Sequence, residues 1–217
     1  MNSVAKATII GGVLFGASLG ALGMIVDRSP YTTQQGVIRS QPIPFSHTHH
    51  VKGMGIDCRY CHTSVEESGF AGIPSTKTCM ACHSQIFRDS DMLKPVHKSW
   101  EENKPIQWNR VHNLADYVYF DHSIHINKGV GCNTCHGQVD EMRLTWQHST
   151  LQMDWCLSCH RNPEPHLRPK EEVFNVNYDP KQEAAKRNVS VSELQSELLK
   201  EYHIKAGQLT NCSICHR

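Results

Sequence analysis

All 10 cysteines of this 217-residue chain fall in Cys-x-x-Cys-His pentads, which leaves no thiol for a disulfide or a separate redox centre. The pentads are Cys58/Cys61/His62, Cys79/Cys82/His83, Cys132/Cys135/His136, Cys156/Cys159/His160 and Cys212/Cys215/His216. Cys-x-x-Cys by itself also suits a zinc ribbon or a redox dithiol, but neither needs a His directly after the second Cys. With 15 His in the chain, five such successes in five trials would arise by chance on the order of once in a million. The pentad spacing is that of covalent c-type haem attachment: two thiols add to the haem vinyl groups, and the following His is held beneath the iron. Five haem c groups with His62, His83, His136, His160 and His216 as proximal iron ligands are therefore expected.

The rest of the chain is thinly supplied for a core of its own, at 39% hydrophobic and 7% aromatic residues. Five macrocycles would have to supply much of that core, as cofactors do in small metallo-domains. The expected fold is mainly α and irregular, a multihaem wrapper with little strand and one N-terminal transmembrane helix. The formal charge of +1 omits the haem propionates, about ten negative charges in all, so an acidic holoprotein is expected. Its Lys and Arg are then propionate partners before anything else, and no basic run or nucleic-acid motif is present.

From Ala7 to Val26 the chain carries 20 consecutive uncharged residues, enough to cross a bilayer core as a helix. The length favours an uncleaved anchor over a cleaved secretory signal, for which Ala21-Leu22-Gly23 is a weak cleavage site. Lys6 precedes the apolar run, which places the amino terminus in the cytoplasm and the pentads on the periplasmic side of a bacterial cytoplasmic membrane. Haem is attached to translocated apocytochromes, so the pentads and the anchor indicate one compartment. Gly12, Gly16 and Gly20 recur every four residues, a spacing that lets another helix approach closely.

An internal repeat precedes the pentads. Phe45-Ser-His47-Thr-His49-His50 stands before the first pair and Phe120-Asp-His122-Ser-Ile-His125 before the second, both reading Phe-x-His-x-x-His. A duplicated two-haem unit accounts for this economically. Two His three positions apart share one side of a helical turn, so one short helix can offer both rings to neighbouring irons. His49 has Ile124 at the matching place and reads as a bystander. The division expected is an anchor (1–28), a linker (29–44), a two-haem unit (45–100), a second two-haem unit (101–170) and a C-terminal segment with the fifth haem (171–217). In that last segment Ser190-Val-Ser-Glu193 fits a capping box. Leu194, Leu198 and Tyr202 continue one helical face, and Gly207 is a suitable stop, giving about four turns.

The Phe-x-His-x-x-His arrangement resembles that of the small three- and four-haem class III cytochromes. The resemblance implies that His47 pairs with His62, His50 with His83, His122 with His136 and His125 with His160. It also implies that a residue just upstream of the fourth pentad serves the last haem, which points to Met153 as the fifth distal ligand. His112, His148, His166 and His203 are the rivals. A thioether in place of an imidazole would raise that haem's potential.

With two protein ligands on every iron, no site would remain for nitrite, peroxide or oxygen, and the haems could only pass electrons. No phosphate loop, catalytic triad or zinc-protease motif is present. No catalytic residue is assigned, and a non-catalytic electron-transfer subunit is expected.

The order of anchor, two repeat units and terminal pentad resembles the pentahaem subunit of alternative complex III, as do Trp108-Asn-Arg-Val-His112, Cys135-His136-Gly137 and Met153-Asp-Trp-Cys156 through Arg161. That resemblance implies a membrane quinol:acceptor oxidoreductase. Its partners would be an iron–sulfur subunit, a polytopic quinol-binding subunit, a monohaem cytochrome and, where one is bound, a terminal oxidase; electrons would pass toward cytochrome c or that oxidase. A single-anchor quinol dehydrogenase feeding a periplasmic reductase is the alternative, and would need a quinol pocket and one loosely ligated haem. A multihaem reductase would need an open iron.

Overall fold

The computed structural model describes residues 2–216. Helix α1 (Ser3–Arg28) begins at Asn2, whose side chain accepts from the Ala5 amide at 2.8 Å. At 1.5 Å per residue, its 26 residues reach about 39 Å. It is long and apolar enough to cross a membrane, and none of its residues is buried in the protein.

The linker after it is stitched down rather than free. A short helix, α2 (Pro30–Thr33), is followed by isolated bridges from Gln35 to Gln147 and from Ile38 to Trp146, and the Gly36 amide donates to the Gln147 carbonyl at 2.8 Å. Gln152 Nε2 reaches back to the Asp27 carbonyl at 2.9 Å, and Arg28 lies 3.7 Å from the Asp154 carboxylate.

The remainder is short helices joined by irregular chain, without a β-strand among the described residues. Each pentad opens a helix or lies in one: α3 (Cys58–Cys61), α4 (Thr76–His83), α7 (Cys132–His136), α8 (Met153–Arg161) and α11 (Cys212–Cys215). A single helical turn puts cysteines at i and i+3 on one side. Asp57 and Asn211 cap the shortest of these helices, accepting from the amides of Arg59 and Ser213. Helix α5 (Lys94–Glu101) packs on α4 through the Thr76 and Ser99 hydroxyls, 2.6 Å apart.

The two copies of the repeat take different helical forms. The first is a π-helix (Thr48–Gly53), the second an α-helix, α6 (His122–Asn127), capped by Asp121 at the Ile124 amide. The extra ring of His49 sits on the wider π turn, and the motif is nevertheless kept.

The main apolar core lies beside the chain that leaves α6, while Ile126 of α6 itself packs with Val65 and Val173 in a smaller cluster. Val130, Leu167, Ala184, Leu194, Leu198 and Tyr202 form the main core, drawn from α9 (Pro180–Arg187), α10 (Val191–Glu201) with its C-cap, the chain leaving α6 and the end of the 3-10 turn Glu164–His166. Helix α10 starts on the expected capping box at Ser190 and Glu193 and buries Leu194 and Leu198. It stops at Tyr202, earlier than Gly207: His203 takes the left-handed conformation at φ 51°, and Gly207 lies in a separate 3-10 turn (Ala206–Gln208). The polar stretch after Leu167 is ordered by buried Arg168, which donates to the Asn175 carbonyl at 2.9 Å and to Asn133 Oδ1 at 2.8 Å.

Candidate haem sites

The two repeat copies hold their rings in closely matching cages. Phe45 meets His47 edge-on at 4.9 Å and stacks on His50 at 4.4 Å. Phe120 meets His122 at 4.7 Å and stacks on His125 at 4.6 Å. The second His of each copy bonds four residues back, His50 Nδ1 to the Ser46 carbonyl at 2.9 Å and His125 Nδ1 to the Asp121 carbonyl at 2.7 Å.

That tie at Nδ1 recurs at every His assigned to an iron. Besides His50 and His125, the carbonyls of Gly72, Ile86, Gly69, Leu209 and Tyr117 take the Nδ1 atoms of His62, His83, His122, His160 and His216, at 2.7 to 3.2 Å. A carbonyl only accepts, so in these seven rings Nδ1 donates and Nε2 keeps its lone pair. The other two rings are tied by side chains, His47 to Thr145 Oγ1 and His136 to His112 Nε2, both at 3.1 Å. This is the outer support that metal-bound His requires.

The rings also face one another across a consistent gap. Ring centres are 6.2 Å apart for His50 and His83, 6.3 Å for His122 and His136, and 6.1 Å for His125 and His160. Two metal–nitrogen bonds of about 2 Å, plus the offset from each ring centre to its Nε2, give roughly 6 Å. His47 lies near enough to His62 to feel its charge. Burial first, and then His62 and His50, lower the His47 pKa to about 4. Burial first, and then the neighbouring rings, likewise bring His112 to about 4 and His136 to about 3. All three are neutral imidazoles at physiological pH.

The cysteines complete the fit. None forms a disulfide. Burial raises the Cys135 thiol to about 12 and also raises Cys61, Cys79, Cys156 and Cys159. Around the rings Phe70, Ile73, Phe120 and Ile124 keep apolar surface open, which a flat apolar macrocycle would cover. Paired thiols, facing imidazoles with free Nε2 atoms and this open apolar surface all suit covalent haem.

Met153 heads α8, 66% exposed and three residues before Cys156. Of its rivals, His112 is committed through Nε2 to His136. His148 packs against Gly137, where an added Cβ would strike its ring. His203 is exposed and His166 half-buried. His49 contacts His50 edge-on at 5.4 Å. The supports supplied by His112 and Thr145 escaped sequence reasoning; the place of His112 in Trp108-Asn-Arg-Val-His112 was the only signal for it.

A mainly helical wrapper with paired thiols and facing imidazoles defines a multihaem c-type cytochrome, a protein of electron transport. The comparisons agree: residues 24–107 match the Class III cytochrome C family. A protein of Nitratidesulfovibrio vulgaris named menaquinone reductase, multiheme cytochrome c subunit, is 33% identical over 150 residues, covering 59% of this chain and 71% of that protein. The chain belongs to the class III multihaem cytochromes c.

Proposed function

We propose that the chain holds five haem c groups and serves as the electron-transfer subunit of a quinol-oxidising respiratory complex of the alternative complex III kind. It would stand on the periplasmic side of a bacterial cytoplasmic membrane and relay electrons toward cytochrome c or a terminal oxidase. The partners would be the iron–sulfur, polytopic quinol-binding and monohaem subunits of that complex. The axial pairs would be His62 with His47, His83 with His50, His136 with His122, His160 with His125, and His216 with Met153. Bound haem iron supplies a one-electron couple.

The observation that carries this reading is the tie at Nδ1. Nine imidazoles, supplied by the five pentads and both repeat copies, are oriented by a bond at the far nitrogen, and six of them face a partner ring across 6.1 to 6.3 Å. Rings fixed on both sides of an iron exclude a third ligand, which suits electron relay and not substrate chemistry.

The test combines the intact mass of the purified chain, expected to carry five haems, with EPR during a redox titration. Only low-spin signals, with one haem at distinctly higher potential, support five closed sites and Met153 ligation. A high-spin signal that responds to nitrite or cyanide overturns the relay. A second reading rests on the relative's name: electrons would run the other way and reduce menaquinone. Quinol oxidation assayed against quinone reduction in the purified complex separates the two.

A further inference from the structure

Resting on the five-haem reading, we propose that the pentads stand in single file in the spatial order second, first, third, fourth, fifth, with the last two at the membrane end and the second at the far end. Electrons gathered at the membrane would then leave at the site of His83, the second pentad in sequence and the last in space.

The second pentad has one neighbour. The hydrogen bonds of residues 75–104 run within that stretch among the described residues, and its ring contact across the gap is to His50, on the same turn as His47. His47 in turn belongs to the first pentad's surroundings, and Cys61 feels the charge of Cys79.

The first pentad then adjoins the third and not the fourth or fifth. The loop after His62 packs on α6: His122 donates from Nδ1 to the Gly69 carbonyl at 3.0 Å, the Ser123 amide to Ser68 at 3.2 Å, and Asn127 to Glu66 at 2.8 Å. The Cys58 and Cys132 sulfurs are close enough to act on each other's charge. Thr145, beyond the third pentad, holds His47. The third and fourth pentads share α6, which turns His122 toward His136 and His125 toward His160.

The fifth pentad closes the line beside the fourth. His160 bonds the Leu209 carbonyl at 3.0 Å, and Cys156 feels the charge of Cys215. An independent sign marks the two ends: of the ten cysteines, Cys82 and Cys212 are the exposed ones, one in each terminal pentad of the proposed file. The direction relative to the membrane comes from the anchor. Gln152 and Asp154, at the start of the fourth pentad's helix, are the residues tied to Asp27 and Arg28.

The test is diffraction from crystals of the full-length holoprotein at the iron absorption edge, which locates each iron without reference to activity. The expected map has five iron peaks. The peak at His83 has its nearest neighbour at His62, the peak at His62 lies between those at His83 and His136, and the peak at His83 is the farthest of the five from Asp27. A peak at His83 nearer to His136 than to His62, or one closer to Asp27 than the peak at His160, overturns the order. Fewer than five peaks refutes the five-haem reading instead, and the remaining peaks still test the order.

Discussion

The two Phe-x-His-x-x-His copies perform one task on unlike supports. The first is a π-helix with Ile56, three residues beyond its end, half-buried; the second is an α-helix with Val130, three residues beyond its end, buried in the main core. The amides of Ile56 and Val130 make the same bond, to the carbonyl of the second His, at 3.1 and 3.0 Å. The Phe-to-His distances agree within 0.2 Å, as 4.9 and 4.4 Å compare with 4.7 and 4.6 Å. The cage therefore comes from the motif, while the helix type and the surrounding stability come from elsewhere in the chain.

If that separation is right, damage to the core should fall on the second copy. Leu198→Ala removes a side chain that is 1% exposed and should cost about 3 kcal/mol in thermal or denaturant unfolding of the holoprotein. Ile56→Ala, at the matching surface of the first copy, should cost under about 1 kcal/mol. Equal losses would break the comparison. Next in size is Gly129→Ala. This glycine has φ 78°, and a Cβ would strike the Tyr202 ring and the Arg168 carbonyl. A cost of about 2 kcal/mol is expected, again by unfolding, with the His50 and His83 surroundings unchanged in their low-spin EPR signal.

A smaller effect separates the two ways of tying a ring. With His136 Nε2 on iron its Nδ1 would donate to His112 Nε2, and His112→Phe removes that acceptor. Loss of about 1 kcal/mol of support for the oxidised state should raise one haem potential by about 40 mV for a one-electron couple, read in a redox titration. An unshifted set of potentials would show that the tie is not felt at the iron. The smallest effect is expected of His49→Ile, which gives the first copy the second copy's residue. Stability should change by less than about 0.5 kcal/mol and every low-spin signal should persist; a new high-spin signal would make His49 a ligand and not a bystander.

The pentads, the long apolar N-terminal helix, the repeat and the capping box at Ser190 were legible because each depends on side-chain identity at fixed spacing. The π-turn was not, because His47 and His50 suit either helix type and packing decides between them. The carbonyl ties at Gly72, Ile86, Gly69, Leu209 and Tyr117 were invisible because any residue supplies a carbonyl. The end of α10 was misjudged because Gly207 looked the better stop, whereas Tyr202 docks on Arg168 at 2.8 Å and turns the chain earlier. The linker's bonds to Gln147 were not legible, since they join residues more than a hundred positions apart.

The bond at Nδ1 has a kinetic meaning as well as a geometric one. A ring held at its far nitrogen cannot swing when the charge at its near nitrogen changes, so little nuclear rearrangement accompanies each electron's arrival or departure. With that rearrangement small at every station, transfer along the file would be governed by spacing and driving force, and the backbone carbonyls, which most substitutions leave in place, would keep it so.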